Sequence, residues 1–296
     1  MTADRPRVSV IIPTLNAAGE VGALLDSLAS QTVRPGEVLV VDSSSGDGTA
    51  GIVRSHTGVR LEAVRREDFD HGGTRNDVLG MASGDLVLFL TQDALPADDR
   101  YIEHLIAPFS DQRVALAYGR QLPKPGARRY VQLVQGFNYP AEPEVRTAAD
   151  IGRLGIRAYF CSDACSAYRR GALERIGGIP HPCSTNEDML AACRLLRAGF
   201  KVAYAPDACV LHSHNLTFRQ QFRRNREVGR FLKEHASELE APSEIREGGR
   251  LVGAVASVLL RERRIFEFLI FGFDCIARFT GNRVGRSCTK ESDTCS

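Results

Sequence analysis

The sequence predicts an α/β chain: a mostly parallel sheet with helices on both faces, followed by a C-terminal helical extension. Three observations predict it. Over the first hundred residues, short β-branched apolar runs alternate with stretches of helical periodicity. Each apolar run stops abruptly at polar, proline or glycine residues. A chain of 296 residues that is 43% hydrophobic and 25% charged can bury a sizeable core, which excludes a disordered chain, a collagen and a polytopic membrane protein.

The elements follow in order. Residues 8–13 (VSVIIP) read as a buried strand ended by Pro13. Residues 19–31 carry Val21, Leu24, Leu25 and Leu28 at helical spacing. Glu37–Asp42 (EVLVVD) is a second strand, residues 43–48 a polar turn, and Thr49–Ser55 a short helix. A third strand is expected over 59–64, a helix over 74–82 and a fourth strand over Leu86–Leu90. In parallel sheets of this kind, ligands bind beyond the carboxyl ends of the strands. The residues to read are therefore Thr14 and Asn16, Asp42, the stretch from Asp68 to Gly73, and Gln92 with Asp93.

Asp42 ends an apolar strand, where a carboxylate can accept an N–H from a nucleobase edge or close an Asx-turn. The segment Phe69-Asp70-His71-Gly72-Gly73-Thr74-Arg75-Asn76 combines two glycines that permit close approach of a ligand, a helix start capped by Thr74, and an arginine. Asp93 follows a strand and can hold a divalent cation if other ligands join it. His212 and His214 lie in an H-x-H pattern that sets both rings on one face of a strand, so a nitrogen ligand can complete a site begun by Asp93. Asn186-Glu187-Asp188 opens a helix; its carboxylates can balance the helix dipole, or Asp188 can act as a general base facing a cleft.

One motif competes. Gly46-Asp47-Gly48-Thr49-Ala50-Gly51 matches G-x-G-x-x-G and would suit an NAD(P)-binding oxidoreductase. It follows the second strand instead of the first, and Ser43, Ser44 and Ser45 lengthen a turn that should be tight, so a simple polar turn is preferred. A zinc site from Cys161 and Cys165 with the later cysteines is not expected, because no C-x-x-C pair exists and buried apolar roles suffice.

Together the segments VSVIIPTLNAAG, EVLVVDSSSGDGT and GTRNDVLGMASGDLVLFLTQD resemble the family 2 glycosyltransferases of GT-A fold, and NEDMLAACRLLRAGFKVAYAPDACVLH extends the likeness. Within that family, FDHGGTRN, LTQDALP and VLHSHNLTFRQQFRRNREVG resemble bacterial rhamnosyltransferases. The resemblance implies that Pro13, Thr14, Asn16 and Asp42 line a nucleotide pocket, joined by Gly73, Arg75, Asn76 and Gln92. It implies that Asp188 is the catalytic base, that Asp163 and Glu187 lie on the acceptor side, and that Asp93 and His212 hold a divalent cation, Mg or Mn. Asp163 is the alternative base. Thr91 stands where the family's D-x-D motif has its first Asp, which removes one carboxylate from the cation site. The implied reaction is inverting transfer of a sugar, rhamnose from dTDP-rhamnose before other dTDP- or UDP-linked sugars, to a hydroxyl of a bacterial glycan or lipid-linked acceptor.

The expected organisation is a nucleotide-sugar-binding half (1–120), an acceptor half carrying the base (121–235) and a helical extension (236–296). Residues 121–149, punctuated by four prolines, read as loops and short helices. Residues 160–170 are expected to line the acceptor site, and Phe218–Glu234 is an arginine-rich helix. From Arg250 to Arg286, seven arginines face three acidic residues (Glu262, Glu267 and Asp274), a net of +4 in a stretch with four phenylalanines over 265–273. No apolar run reaches the ~18 residues of a spanning helix. Two readings stay open for this stretch: an interfacial helix on an anionic membrane surface, or helices that pack a core or a homodimer partner. The start MTADRPRVSVIIP lacks the form of a secretory leader, so a cytoplasmic chain, peripheral on the inner face of the membrane, is expected. A whole-chain charge of +2 points away from nucleic acid. Residues 287–296 read as a frayed end.

Overall fold

A computed structural model of the chain describes residues 6–183, 185–239 and 245–287. The chain divides into two compact units. The first comprises Met1–Leu122, Tyr139–Cys183 and Glu187–His212; the second comprises Pro123–Asn138, Ser184–Asn186 and Ser213–Ser296. The strands are β1 (Val8–Thr14), β2 (Glu37–Asp42), β3 (Val59–Ala63), β4 (Leu86–Leu90), β5 (Leu95–Pro96), β6 (Val114–Leu122), β7 (Glu144–Arg146), β8 (Cys165–Arg169) and β9 (Lys201–Leu211). The helices are α1 (Val21–Ala29), α2 (Thr49–Ser55), α3 (His71–Met81), α4 (Tyr101–Ile106), α5 (Arg129–Asn138), α6 (Ile151–Leu154), α7 (Arg170–Arg175), α8 (Glu187–Arg197), α9 (Phe218–Glu234), α10 (Ala236–Leu239), α11 (Ile245–Arg261) and α12 (Ile265–Ser287).

The first unit is one sheet in the order β3-β2-β1-β4-β8-β6-β9-β5, with β7 on β9. Most paired residues lie in parallel ladders, β1 with β2 and β4, β2 with β3, and β6 with β9; β8 with β4 and β6, and β5 and β7 with β9, pair antiparallel. The unbroken apolar sequence of β4 follows from its place, because every one of its residues is buried between the two helical layers. Edge strand β3 is half-exposed. Helix α1 covers the sheet with Val21, Leu24, Leu25 and Leu28, the residues whose spacing predicts it.

The topology decides where chemistry can sit. β8 runs antiparallel to both of its neighbours, β4 and β6. β6 is therefore parallel to β4, and the carboxyl ends of β1, β2, β4, β6 and β9 share one edge with the amino end of β8. Strand order turns at β1, with β2 on one side and β4 on the other, which opens a crevice at that edge.

Residues 160–170, for which the sequence predicts no element, carry β8 over 165–169 in the middle of the sheet. Two stretches differ from the sequence reading. The stretch 121–149 contains the ten-residue helix α5 and the short strand β7. Helix α3 starts at His71, not at Thr74, because the cap is Asp70, whose carboxylate accepts from the Gly73 N–H at 2.7 Å. Gly72 then lies in the first helical turn, where a Cβ would stand 2.1 Å from the Pro180 carbonyl oxygen. The close approach that this glycine permits is made by the chain's own backbone, not by a ligand.

The second unit is helical. Helix α12 lies against α9 through glycines on both: a Cβ at Gly229 would stand 2.2 Å from the Asn282 oxygen, and one at Gly285 would stand 2.0 Å from the Arg226 oxygen. Tyr130 of α5, Val255 and Leu259 of α11 and Phe271 of α12 form its apolar centre. The frayed end read for residues 287–296 lies, beyond Ser287, outside the described residues.

Candidate active site

At the ends of β1 and β2, the two following loops are stitched together. The Asn16 N–H donates to Ser45 Oγ at 2.7 Å, and the Gly46 N–H donates to Asn16 Oδ1 at 3.0 Å. Asn16 takes a positive φ of 51°, a conformation that asparagine tolerates. Asp42 is buried and accepts from Thr14 Oγ1 at 3.2 Å, from the Ser45 N–H at 3.0 Å and from Ser45 Oγ at 2.5 Å. It closes the Asx-turn and so fixes the loop after β2 against the end of β1, where Pro13, Thr14 and Asn16 lie. Gln92 ties β4 to β1 across the crevice: its Oε1 accepts from the Leu15 N–H at 2.7 Å, and its Nε2 donates to the Leu15 carbonyl at 3.2 Å.

The glycine-containing turn after β2 is no dinucleotide cradle. Asp47 accepts from the Thr49 N–H at 3.1 Å and from the Ala18 N–H at 2.9 Å. A carboxylate therefore caps the start of α2, at the position where a pyrophosphate would need open N–H groups.

Asp93, beyond β4, stands with its Oδ1 3.4 Å from Nε2 of His212, beyond β9. The other ring nitrogen of His212 is 2.8 Å from Gln121 Oε1, and Gln121 Nε2 donates to Ser162 Oγ at 2.9 Å. With Gln121 so oriented, the neutral imidazole carries its proton on Nδ1 and directs the Nε2 lone pair towards the carboxylate. Two acceptors facing each other at this distance need a proton or a cation between them. An imidazole nitrogen and a carboxylate oxygen, with a fixed second partner behind the ring, suit a divalent transition-metal ion. Gln121, which orients the His212 ring, is a candidate site residue that the sequence reading missed. Its signal is the β6–β9 pairing, which joins residues some ninety positions apart. The Thr91 hydroxyl, at the family's first Asp position, is buried without a hydrogen-bond partner among the described residues, so it supplies no carboxylate to this site.

A second cluster gathers at the amino ends of β8 and α8. Arg75 is only 4% exposed. Its Nη1 donates to Glu187 Oε1 at 2.8 Å and to the His71 carbonyl at 2.9 Å, and its Nε stands 3.6 Å from Asp163 Oδ2. The guanidinium lies 5.5 Å from the centre of the Phe89 ring. Asp163, 4% exposed, accepts on Oδ1 from Ser166 Oγ at 2.6 Å and from the Tyr168 hydroxyl at 2.7 Å. Asp188 is only half-buried. Its Oδ2 accepts from the Asp163 N–H at 3.2 Å and its Oδ1 from the Met189 N–H at 2.7 Å.

Electrostatics separates these carboxylates. Loss of solvation, followed by the nearby charges of Asp163 and Glu187, pushes the Asp188 carboxyl up to about 8; the two backbone N–H groups oppose this without prevailing. Burial also raises Asp163, against the pull of Arg75. Only Asp188 of the three combines a raised proton affinity with an open side, which suits it to exchange a proton with a bound molecule.

The cluster corrects several expectations. Arg75, expected near a donor phosphate, is the buried countercharge of Glu187 and Asp163. Those two are 6% and 4% exposed and bonded internally, so neither presents a surface to an acceptor, and Asp163 gives way to Asp188 as the base candidate. Asn76 pairs both ways with Ile179, donating to its carbonyl and accepting from its N–H, each at 2.7 Å. The Gly73 N–H is taken by Asp70. Arg146, also unforeseen, is buried and donates to the carbonyls of Arg157, Ala158 and Phe160, pinning the segment that leads to Asp163.

Comparison with known proteins agrees with this architecture. The family model for glycosyl transferase family 2 matches residues 9–177. The O-antigen chain rhamnosyltransferase RfbN of Salmonella typhimurium is 39% identical over 226 residues, covering 76% of this chain and 72% of that protein. The O-antigen chain rhamnosyltransferase WbaN of Salmonella anatum is 38% identical over 228 residues, with the same coverage. Among solved structures, the mannosyltransferase PcManGT from Pyrobaculum calidifontis, in complex with GDP-Man and Mn2+, superposes with a TM-score of 0.65 at 22% identity, covering 95% of this chain and 88% of that one. Glucosyl-3-phosphoglycerate synthase from Mycobacterium tuberculosis, in complex with Mn2+, UDP and glucosyl-3-phosphoglycerate, gives 0.55 at 18% identity, covering 81% of this chain and 82% of that one. The nicotinamide reading of the glycine turn falls with these matches. The chain is a glycosyltransferase of GT-A fold and belongs to glycosyltransferase family 2.

Proposed function

We propose that this glycosyltransferase transfers rhamnose from dTDP-rhamnose to a hydroxyl of a bacterial surface glycan, free or lipid-linked, with inversion at the anomeric carbon and Asp188 as general base. The observation that carries the reaction type is Asp188 itself, a carboxylate of raised proton affinity held at the open side of the crevice edge. The relatives named as O-antigen chain rhamnosyltransferases support the sugar and the kind of acceptor.

The parts divide the work. Pro13, Thr14, Asn16 and Asp42, at the ends of β1 and β2, take the nucleoside, and Gln92 keeps the β1–β4 crevice in register. Asp93 and His212 would hold a divalent cation, which would supply positive charge to the diphosphate leaving group. Binding of Mn2+ by solved neighbours supports this donor set. The acceptor hydroxyl approaches C1 from the side opposite the diphosphate, Asp188 removes its proton, and one displacement inverts the centre. The transition state gathers oxocarbenium character, as in glycoside hydrolysis. Glu187, Asp163 and Arg75 hold the start of α8 so that Asp188 keeps its aim.

A thermal-shift panel tests the donor and cation assignments. With Mg2+ or Mn2+ present, dTDP at a hundredfold excess over its dissociation constant is expected to raise Tm by roughly 5 °C or more. Chelator or His212→Ala should reduce that shift severalfold. Stabilisation by NAD(P) and not by nucleoside diphosphates would overturn the reading. A dTDP shift unchanged by chelator would remove the cation from it.

A further inference from the structure

We infer that helix α12 is an interfacial docking helix whose occupant is an anionic lipid bilayer surface. The inference stands on this helix and does not rest on the assignment of donor or base.

Helix α12 has 23 residues and two unlike apolar faces. One is spent on packing: Phe271, Ala277, Gly281 and Gly285 are buried, and the glycines bring its backbone against α9. The other covers nothing among the described residues. Phe266, Leu269, Phe273, Ile276 and Phe279 follow one another at three- and four-residue steps, which stacks them in one row about 20 Å long. The three phenylalanines are 77%, 62% and 63% exposed. A row of large apolar side chains this exposed marks an interaction surface.

Charge selects the occupant. Arg261 and Arg263 are exposed where the row begins, and Arg283 and Arg286 are exposed where it ends. The acidic residues of the stretch are held in ion pairs: Glu262 with Arg129 at 2.6 Å, Glu267 with Arg264 at 3.1 Å and buried Asp274 with Arg278 at 2.6 Å. The face is thus apolar along its middle and cationic at both ends. A second copy paired two-fold on this row, parallel or antiparallel, would set arginines against arginines. Anionic headgroups neutralise both ends while the acyl boundary takes the phenylalanines. The helix lies on such a surface and does not span it, since no helix among the described residues is long and apolar enough to cross a membrane.

Flotation of the full chain with vesicles tests the inference. Phosphatidylglycerol-containing vesicles should carry the protein upward, and pure phosphatidylcholine vesicles should carry much less. Replacing Phe266, Phe273 and Phe279 together by Ser should lower the partition coefficient by roughly tenfold or more. Because these side chains are exposed, Tm and the dTDP-induced shift should stay at wild-type values, which separates this result from any failure of the donor assignment. Equal flotation on both vesicle types, unchanged flotation of the triple variant, or a dimer in sedimentation that the triple substitution dissociates would overturn it.

Discussion

Asp188→Asn is expected to lower kcat by about 10²–10⁴-fold while leaving the nucleotide-induced thermal shift unchanged. Asn keeps the shape and an acceptor oxygen for one of the two backbone N–H groups, of Asp163 and Met189, but its NH2 meets the other and it cannot take a proton from the acceptor hydroxyl. The wild-type profile of kcat/KM should rise with pH towards a limb near 8, well above the ordinary carboxylate range, because the free enzyme must lose the Asp188 proton before it can act as base. In the Asn variant that limb should disappear from the residual activity. Stability should move the other way. The folded chain holds the Asp188 proton up to about 8, whereas the unfolded chain releases it near 3.8, so this group stabilises the fold at low pH and loses that contribution as pH rises between the two values. Asn does not titrate and escapes this loss, so any Tm advantage of the wild type over the variant should shrink as pH rises from about 4 to about 8. Near-normal turnover, or a loss of activity that tracks a loss of fold, would contradict the assignment of Asp188 as base.

Arg75→Ala is expected to be the most destabilising single substitution in the site. It removes the countercharge of Glu187 and Asp163 and leaves both carboxylates in a water-poor cluster. Breaking a buried pair from one side costs about 3–5 kcal/mol, or a Tm drop of roughly 6–20 °C in a chain of this size. The loss should be larger at pH 8 than at pH 5.5, because without the arginine burial alone acts on Asp163 and its carboxyl holds its proton more strongly in the folded state than in the unfolded chain. Arg75→Lys should recover part of the Tm and little activity, since a point charge cannot serve Glu187, Asp163 and the His71 carbonyl together. A wild-type Tm for Arg75→Ala at pH 8 would show that the cluster is solvated.

The contrast between Arg75 and Asp188 shows what the sequence could convey. The β1–β4 half of the sheet is legible because β1, β2 and β4 are nearly unbroken apolar runs separated by local turn signals, and β1–β2 and β2–β3 pair in sequence order. The other half is not. β8 is CSAYR, a run with no apolar period of its own, and it is a central strand only because β4 and β6 flank it. The same split runs through the site. Asp188, Asp93 and His212 stand out because each ends or opens an element, and a ligand meets an element at its ends. The partner of Arg75 lies 112 positions away, and His212 is oriented by Gln121 across 91 positions. An arginine beside two glycines at a helix start therefore reads as an anion site. Asp70 satisfies the Gly73 N–H and Glu187 the guanidinium, and neither fact is visible until the chain has folded.

The most direct measurement is a transfer assay with dTDP-rhamnose, divalent cation and a glycan or lipid-linked acceptor, with the anomeric configuration of the product read by NMR. The account predicts a rhamnosylated product of configuration opposite to the donor, formed by the wild-type chain and reduced at least hundredfold by Asp188→Asn. A product that retains the donor's configuration, or equal product from the Asn variant, would contradict it.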